Sequence, residues 1–319
     1  MRILLPVLAG LTGLVAAAAA ELPRHFAFFN RDRAQCRSSS FLNASRLQGA
    51  QIKYTWPELE PQKDRYRFDM IREDLDFLTA NRKRLFIQLQ DVSFDGAIVN
   101  VPAYLAATGA ARQYDDESGK PAGWVAARWD PAVQVRLHKL MAALGREFDG
   151  QIEGIALAET SIEFGRDDRR APTGFTAAGY RDGIIGNMTA LKKAFPQSVA
   201  MQYANFMPGE WLPDSDHGYL RSVFEAAWRL GVAVGGPDLL PFRRPQLSHS
   251  YPLIRQSSGR VPTGIAVQDG NYAAKDPKSN RRIPLGELMR YAQEELRVDY
   301  VFWRNQEPYY SRELLPLLR

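Results

Sequence analysis

The residue whose type and position best suit it to chemistry is Glu159, a carboxylate that ends a largely apolar run over residues 152–158. A strand buried on both faces of a parallel sheet is nearly all apolar, so a charged side chain at its carboxyl end needs an explanation. In barrels of alternating strands and helices, catalytic groups lie at that end of the strands. Glu159 is therefore either a catalytic carboxylate or the buried partner of an arginine.

Further polar and aromatic residues end the other strand-like runs, as a carbohydrate site would require. Side-chain amides bind sugar hydroxyls, and aromatic rings stack on the C–H faces of a sugar ring. The stacking candidates are Trp56, Tyr203 and Trp303, and the hydroxyl-binding candidates are Gln90, Asn205, Gln268 and Gln306. This combination indicates a carbohydrate polymer or oligosaccharide as the binding partner.

Hydrolysis of a glycosidic bond needs two carboxyl groups, one to protonate the leaving oxygen and one to attack the sugar or activate water. Glu159 is the candidate acid, because apolar neighbours disfavour its charge and raise its pKa. The second carboxylate is open among strand-ending acids. Asp269 is the first choice, followed by Glu307 and Asp238, and then by Asp91. Each of these could instead cap a turn, since an aspartate before a glycine is common in turns.

The elements that would position these residues are eight short apolar runs that alternate with amphipathic helical stripes. The predicted strands span residues 25–30, 49–56, 85–91, 152–160, 199–206, 232–239, 263–269 and 298–304. A helix is predicted to start at Asp130-Pro131, a capping carboxylate followed by a proline in the first turn. Helical crossovers join parallel strands, so the α/β pattern predicts a (β/α)8 TIM barrel.

Two segments have no clear periodicity, residues 91–129 and residues 164–173. Both follow the carboxyl end of a predicted strand, which would place them over the mouth of the barrel. We therefore expect them to be irregular loops that wall the site, because long loops on that face often serve this purpose.

The first residues read as a targeting segment, with Arg2 before an apolar stretch over 3–20 and three alanines before Glu21. This pattern predicts a signal peptide at 1–20 and a single barrel domain at 21–319, exported to the periplasm or secreted. A retained membrane anchor is the alternative, because the stretch is marginally long enough to span a bilayer. No membrane span is expected after cleavage, and a monomer is expected.

Composition and motifs exclude several other functions. The formal charge is +5, and the basic residues are scattered among acids, which indicates a solvated surface or, alternatively, attraction to an anionic polymer. Export argues against nucleic acid as a partner. Cys36 is the single cysteine, so no internal disulfide forms and a buried, inert thiol is expected. The four histidines lack metal-ligand spacing, and no nucleophile elbow or phosphate loop occurs, so neither metal nor cofactor is predicted.

One segment carries a resemblance to a known family. Residues 54–61 (YTWPELEP), followed by 64–69 (DRYRFD), resemble the second-strand segment of the clan A retaining glycoside hydrolases, in which W-x-x-L-E-P precedes Y-x-F. The resemblance implies a (β/α)8 barrel with its acid/base at the fourth strand tip, where Glu159 stands. It also implies an aromatic floor on the eighth strand, where Trp303 stands.

Two positions depart from the pattern of that clan. Ala158 stands where the clan has an asparagine before its acid/base, and Gln268-Asp269 stands where the clan has a nucleophilic glutamate. The first hypothesis is therefore an exported glycoside hydrolase with Glu159 as proton donor and Asp269 as nucleophile or base. The alternative is a non-catalytic carbohydrate-binding barrel, and a third option is a barrel enzyme of another reaction class.

Overall fold

The computed structural model describes residues 22–319 apart from the side chain of Asp167, and the predicted signal peptide lies outside the described residues. Eight parallel strands close into a barrel in which each strand pairs with the next barrel strand along the chain. The strands are β1 (Arg24–Asn30), β2 (Leu47–Thr55), β3 (Arg84–Gln90), β4 (Val92–Ser93), β5 (Ala110–Tyr114), β6 (Pro121–Ala126), β7 (Gly154–Leu157), β8 (Val199–Tyr203), β9 (Ala233–Gly236), β10 (Thr263–Val267) and β11 (Tyr300–Arg304). All but β4, β5 and β6 belong to the barrel, which confirms the predicted single-domain (β/α)8 fold.

Helices connect the barrel strands and pack against their outer face. They are α1 (Ser39–Leu42), α2 (Trp56–Leu59), α3 (Asp69–Ala80), α4 (Ala103–Gly109), α5 (Pro131–Phe148), α6 (Ala177–Ala194), α7 (Tyr219–Leu230), α8 (Arg244–Ser248), α9 (Ser250–Ser257), α10 (Leu285–Arg290) and α11 (Leu315–Leu317). Asp130 caps α5 as predicted, because its carboxylate accepts from the amides of Ala132 and Val133. None of the helices between residues 22 and 319 combines the length and apolarity needed to cross a bilayer.

The segment over 91–129 is not irregular, so that prediction was wrong. It contains α4 and a second sheet in which β4 and β5 pair antiparallel with β6, in the order β4-β6-β5. These strands escaped detection because β4 has only two residues and β5 and β6 alternate buried with exposed positions. The small sheet rises from the carboxyl end of β3 and therefore flanks the mouth of the barrel.

Aromatic side chains fill the barrel below its mouth. Phe86 packs edge-on against Phe302 with ring centroids 4.9 Å apart, and Phe26 packs edge-on against Phe86 at 6.0 Å. All three rings are fully buried. The interior is a packed core rather than a channel, as in other barrels of this type, so chemistry is confined to the mouth.

A buried ion pair joins the small sheet to the barrel. Asp91 follows β3, and Arg128 follows β6. The Arg128 guanidinium binds the Asp91 carboxylate with both arms, through Nε to Oδ2 at 2.8 Å and Nη2 to Oδ1 at 2.5 Å. Arg128 is only 3% exposed and Asp91 only 5%. A bidentate arrangement is the geometry that best compensates the desolvation of both charges.

Removing one member of this pair should cost far more stability than removing both. We expect Arg128→Met to lower the free energy of unfolding by about 3–5 kcal/mol, because Asp91 would remain charged and buried without a partner. The double variant Asp91→Leu with Arg128→Met should recover a large part of that loss. Urea unfolding at pH 7 provides the comparison, and an Arg128→Met protein as stable as wild type would contradict this role for the pair.

Candidate active site

Glu159 lies two residues beyond β7, on a backbone segment that side chains hold in place. Leu157 pairs with Gln202 in the β7–β8 register, so Glu159 lies beside the end of β8. The carbonyl of Ala158 accepts from Gln202 Nε2 at 2.8 Å. The carbonyl of Glu159 accepts from Arg128 Nη1, also at 2.8 Å. These bonds replace the strand hydrogen bonds that stop at Leu157, and they fix the position from which the Glu159 side chain starts.

The carboxyl group of Glu159 is half-buried and is bound by an amide. Asn205 Nδ2 donates to Glu159 Oε2 at 2.6 Å, while Asn205 Oδ1 accepts from the Ser161 amide at 3.1 Å. Because both ends of the Asn205 amide are engaged, its NH2 group is directed at the carboxyl group. In the described part of the chain, no guanidinium or ammonium forms an ion pair with Glu159, so the buried-ion-pair interpretation was wrong.

Burial raises the pKa of Glu159 to about 7. The Asn205 hydrogen bond and the positive charges of Lys53 and Arg128 act in the opposite direction, and the negative charge of Asp238 adds to the rise. A carboxyl group with this pKa is protonated in a large fraction of molecules near neutral pH. It can therefore donate a proton under conditions in which an ordinary glutamate cannot.

Two basic residues that the sequence analysis did not single out share the mouth with Glu159. Lys53 on β2 is half-buried, and burial lowers its pKa to about 8. Arg304 ends β11. The Lys53 ammonium lies 5.7 Å from the centroid of the Phe28 ring, and the Arg304 guanidinium carbon lies 5.9 Å from the same centroid. Both side chains therefore project inward from the barrel wall over a common aromatic floor.

The candidates for the second carboxylate occupy different environments. Asp238 is half-buried, accepts from Asn271 Nδ2 at 3.0 Å, and is near enough for its charge to raise the pKa of Glu159. Asp269 is exposed and accepts from Arg304 Nε at 3.1 Å. Asp91 is engaged with Arg128. Among these, Asp238 is the acid whose charge reaches Glu159.

Glu307 acts as a cap. Its carboxylate is exposed and accepts from the Ser311 hydroxyl at 2.6 Å and from the Ser311 amide at 3.4 Å. This is the turn-capping alternative that the sequence left open for each strand-ending acid.

The three aromatic side chains expected to stack on sugars have no open ring face. Trp56 is fully buried and donates its indole N–H to Glu60 Oε2 at 2.9 Å. Trp303 is fully buried in the core that the barrel strands form with the surrounding helices, and its indole N–H donates to His25 Nδ1 at 3.1 Å. Tyr203 is 1% exposed, and its hydroxyl accepts from Gln51 Nε2 at 3.0 Å. The stacking prediction was wrong for all three. A residue's position near the end of a strand does not show whether its side chain points into the mouth or into the core.

The four amides expected to bind sugar hydroxyls also separate. Gln90 is buried and donates to the Val92 carbonyl at 2.8 Å, and Asn205 binds Glu159. Gln306 is half-buried, and its Oε1 accepts from the Gly270 amide at 3.0 Å, which links the loops after β10 and β11. Gln268 is half-buried just beyond β10. Within residues 22–319, the side chain of Gln268 is the one of these four that forms no hydrogen bond, so the hydroxyl-binding prediction for it stays open.

Exposed aromatic residues on the mouth-side loops are better candidates for stacking. Trp211 is 51% exposed and lies nearly parallel to the ring of Phe206, with centroids 5.8 Å apart and an interplanar angle of 11°. Phe206 directly follows Asn205. Phe94, 61% exposed, borders a cavity of about 630 Å³ whose wall also includes Ser161 and Ile162. The signal that could have found these residues is an aromatic two to eight positions beyond a strand end.

Metal and thiol chemistry have no support in this part of the molecule. Across the described residues, no group of three or more His, Cys, Asp and Glu side chains is arranged to hold a metal ion. Cys36 is fully buried, and burial raises the pKa of its thiol to about 11. The thiol is therefore protonated and shielded, as expected for an inert cysteine.

Several solved enzyme structures share the fold of this chain. The catalytic domain of a β-amylase from Paenibacillus polymyxa is 10% identical with a TM-score of 0.56, over 89% of this chain and 92% of that one. A β-galactosidase from Bacillus circulans sp. alkalophilus is 11% identical with a TM-score of 0.57, over 89% of this chain and 50% of that one. A GH5_18 protein from Streptomyces cattleya, in complex with Manb1-4GlcNAc, is 14% identical with a TM-score of 0.53, over 88% and 70%.

At these identities the likeness is one of fold. The comparison thus agrees with the (β/α)8 architecture of this chain. No protein-family profile and no curated protein matches the sequence.

The environment of Glu159 should reduce the stability of the folded protein at high pH. Its pKa is near 4.5 in the unfolded chain and about 7 in the folded one, so between these values the unfolded chain releases the proton first and unfolding becomes easier. The difference in free energy of unfolding between Glu159→Gln and wild type should therefore shift in favour of the variant by about 2–3 kcal/mol when the pH rises from 4 to 8. Urea unfolding followed by tryptophan fluorescence at both pH values measures this difference.

Glu287→Gln, which neutralises an exposed glutamate on α10, is the matched control and should show no such change. If Glu159→Gln behaved like this control at both pH values, the result would contradict a raised pKa for Glu159 in the folded protein.

Proposed function

We propose that this chain is a glycoside hydrolase in which Glu159 is the general acid and Asp238 is the second carboxylate. The observation that carries the proposal is the state of Glu159, a half-buried carboxyl group at the barrel mouth with a pKa near 7 and no ion-pair partner among the described residues. In the reaction, Glu159 gives its proton to the leaving oxygen as the bond to the anomeric carbon breaks, and water supplies the replacing hydroxyl group.

The surroundings of Glu159 support the role of an acid. Asn205 holds one carboxyl oxygen, which leaves the other free to face a substrate. Since Arg128 binds the backbone of Glu159 and not its carboxylate, the segment is fixed while the proton remains available. A proton donor requires a fixed position without an ion pair that would keep its carboxyl group ionised.

Asp238 replaces Asp269 as our choice for the second carboxylate. Its charge raises the pKa of Glu159, an effect expected from the second carboxylate of a catalytic pair. Asn271 fixes its side chain through Nδ2, while Asn271 Oδ1 accepts from the amides of Leu239 and Gln268. Asp269 is engaged with Arg304 and exposed, which suits it less for either attack or base catalysis.

The alternative function is a non-catalytic barrel that binds carbohydrate. The observation that favours it is the segment after the seventh barrel strand, β10, where Gln268-Asp269 stands and the carboxylate of Asp269 is bound to Arg304. In that case the mouth would hold a sugar through Gln268 and the exposed aromatic residues without cleaving it.

Export to the periplasm or the medium belongs to the same proposal, because an enzyme acting on a polysaccharide has to meet its substrate outside the cytoplasm. It rests on the charge and apolar pattern of residues 1–20 alone. Cell fractionation of the full-length protein, with N-terminal sequencing of the processed form, tests it.

The proposal predicts a large loss of turnover when either carboxylate becomes an amide. Glu159→Gln and Asp238→Asn should each lower kcat by about 10²–10⁴-fold on a polysaccharide that the wild type cleaves, because each removes a proton-transfer or nucleophilic group. Released reducing ends give the rate. The anomer that forms first, observed by ¹H NMR, shows whether Asp238 attacks the sugar directly or activates water.

Glu307→Gln is the matched control, since it neutralises a strand-ending acid that caps a turn, and it should keep wild-type turnover. Unchanged turnover in Glu159→Gln would refute the acid assignment. Unchanged turnover in Asp238→Asn, together with a loss in Asp269→Asn, would return the second role to Asp269. Binding of oligosaccharides without release of reducing ends from any of a broad panel would favour the non-catalytic alternative.

A further inference from the structure

The Lys53 ammonium lies in the mouth without an anion of its own. No described residue accepts a hydrogen bond from it or forms an ion pair with it, and its contact with the Phe28 ring is a weak substitute. The side chain is nevertheless half-buried on β2. Burying an ammonium without a partner is energetically costly, so binding of a hydrogen-bond acceptor to this lysine would be favourable.

Arg304 brings a second cation to the same place in a fixed orientation. Its Nε donates to Asp269, and Nη1 donates to Asn305, which leaves Nη2 without a described acceptor. Only 19% of its side chain is exposed. A guanidinium anchored on one side and open on the other is preorganised for a further oxygen ligand, because little rotamer freedom remains to be lost on binding.

The two cations contact the same Phe28 ring although their charges repel each other. Besides burial, the charges of Arg304 and of Arg31, which follows β1, lower the pKa of Lys53, while the charges of Glu159 and Asp269 raise it. Arg31 is itself paired with Glu58. Like charges gathered at one end of a cleft raise the local potential and attract an anionic group, which would offset the repulsion.

We propose that Lys53 and the open edge of Arg304 form a subsite for the anionic group of an acidic sugar, a uronate carboxylate or a sulfate ester. The inference rests on the proposed function for its setting, since it assigns the substrate class of the site that contains Glu159. The Phe28 ring forms the floor between the two cations and is 2% exposed. An oxyanion there could receive hydrogen bonds from both side chains, the arrangement in which charge-assisted bonds are strongest.

The subsite also couples binding to the protonation of Glu159. The Lys53 charge lowers the pKa of Glu159 in the empty site. A bound anion would neutralise that influence, so the acid would hold its proton more firmly once an acidic sugar is in place. A neutral sugar would leave the influence of Lys53 unchanged.

Matched pairs of oligosaccharides test the inference. Cellouronate tetramers are compared with cellotetraose, mannuronate tetramers with mannotetraose, and a sulfated carrageenan tetrasaccharide with its desulfated form. Binding is measured by calorimetry at pH 6 and low ionic strength with full-length Glu159→Gln, so that turnover does not consume the ligand. At least one acidic member should bind roughly tenfold or more tightly than its neutral counterpart, because the neutral sugar lacks the group that would form charge-assisted hydrogen bonds with Lys53 and Arg304.

The charge dependence should vanish with the cations. In the Glu159→Gln background, Lys53→Gln and Arg304→Gln should each reduce acidic-sugar binding by roughly tenfold or more, and should reduce it far more than neutral-sugar binding. Lys193→Met and Arg229→Gln remove exposed charges at the carboxyl ends of α6 and α7 and serve as controls that should keep the preference. If the Lys53 variant does not fold, the affinity of the acidic sugar in rising salt takes its place and should fall steeply.

The outcomes separate this inference from the proposed function. Equal binding of acidic and neutral members, or no binding of any acidic member, overturns the anionic subsite. A preference for acidic sugars with no release of reducing ends by the wild type supports the subsite and refutes the hydrolase. The uronate and sulfate arms distinguish the two sources of negative charge.

Discussion

The site depends on where one buried guanidinium is bound. Arg128 is held at its fork by Asp91, and its remaining arm donates to Tyr180 Oη and to the carbonyl of Glu159, each at 2.8 Å. Because the guanidinium of Arg128 already forms an ion pair with Asp91, it does not pair with the Glu159 carboxyl group. The arginine thus fixes the backbone behind the mouth while the carboxyl group in front of it remains protonatable.

This arrangement explains why the protein can place a poorly solvated acid at the mouth without losing it to an ion pair. Tyr180 extends the arrangement by donating to the carbonyl of Thr160 at 2.9 Å, so consecutive backbone oxygens beyond β7 are bound by buried side chains. Asn205 then supplies a neutral partner to the carboxyl group itself. A neutral partner orients the acid without forcing it to ionise, in contrast to a lysine or arginine at the same distance.

The architecture was largely predictable from the sequence because each barrel strand is a short apolar run and each helix has a stripe of apolar residues at three- and four-residue spacing. Glu159 was singled out as a candidate because a charge at the end of an apolar run is an exception. Applied to bases as well as acids, the same rule would have singled out Arg304 at the end of β11, and a charge inside a strand, as at Lys53 in β2, is a similar exception. Trp56 and Trp303 show its limit, because an aromatic residue at a strand end fits a core as well as a binding site.

What the sequence could not supply is the pairing of side chains across strands. That Asn205 serves Glu159, that Asp269 is bound by Arg304, and that Glu307 caps a turn all depend on side-chain directions and on contacts between distant segments. Ala158 illustrates the point. It stands where the clan A glycoside hydrolases have an asparagine, and in this chain the amide bound to the Glu159 carboxyl group is that of Asn205, two residues after β8.

The central claim is that Glu159 is a carboxyl group kept protonated by its position, and its titration tests that claim most directly. Protein labelled with ¹³C at the glutamate carboxyl carbon can be titrated by NMR, with the Glu159 resonance assigned by its loss in Glu159→Gln. We expect a midpoint near 7, with Asp238→Asn shifting it downward and Lys53→Gln shifting it upward. A midpoint at or below the ordinary glutamate value of about 4.3 would contradict the account.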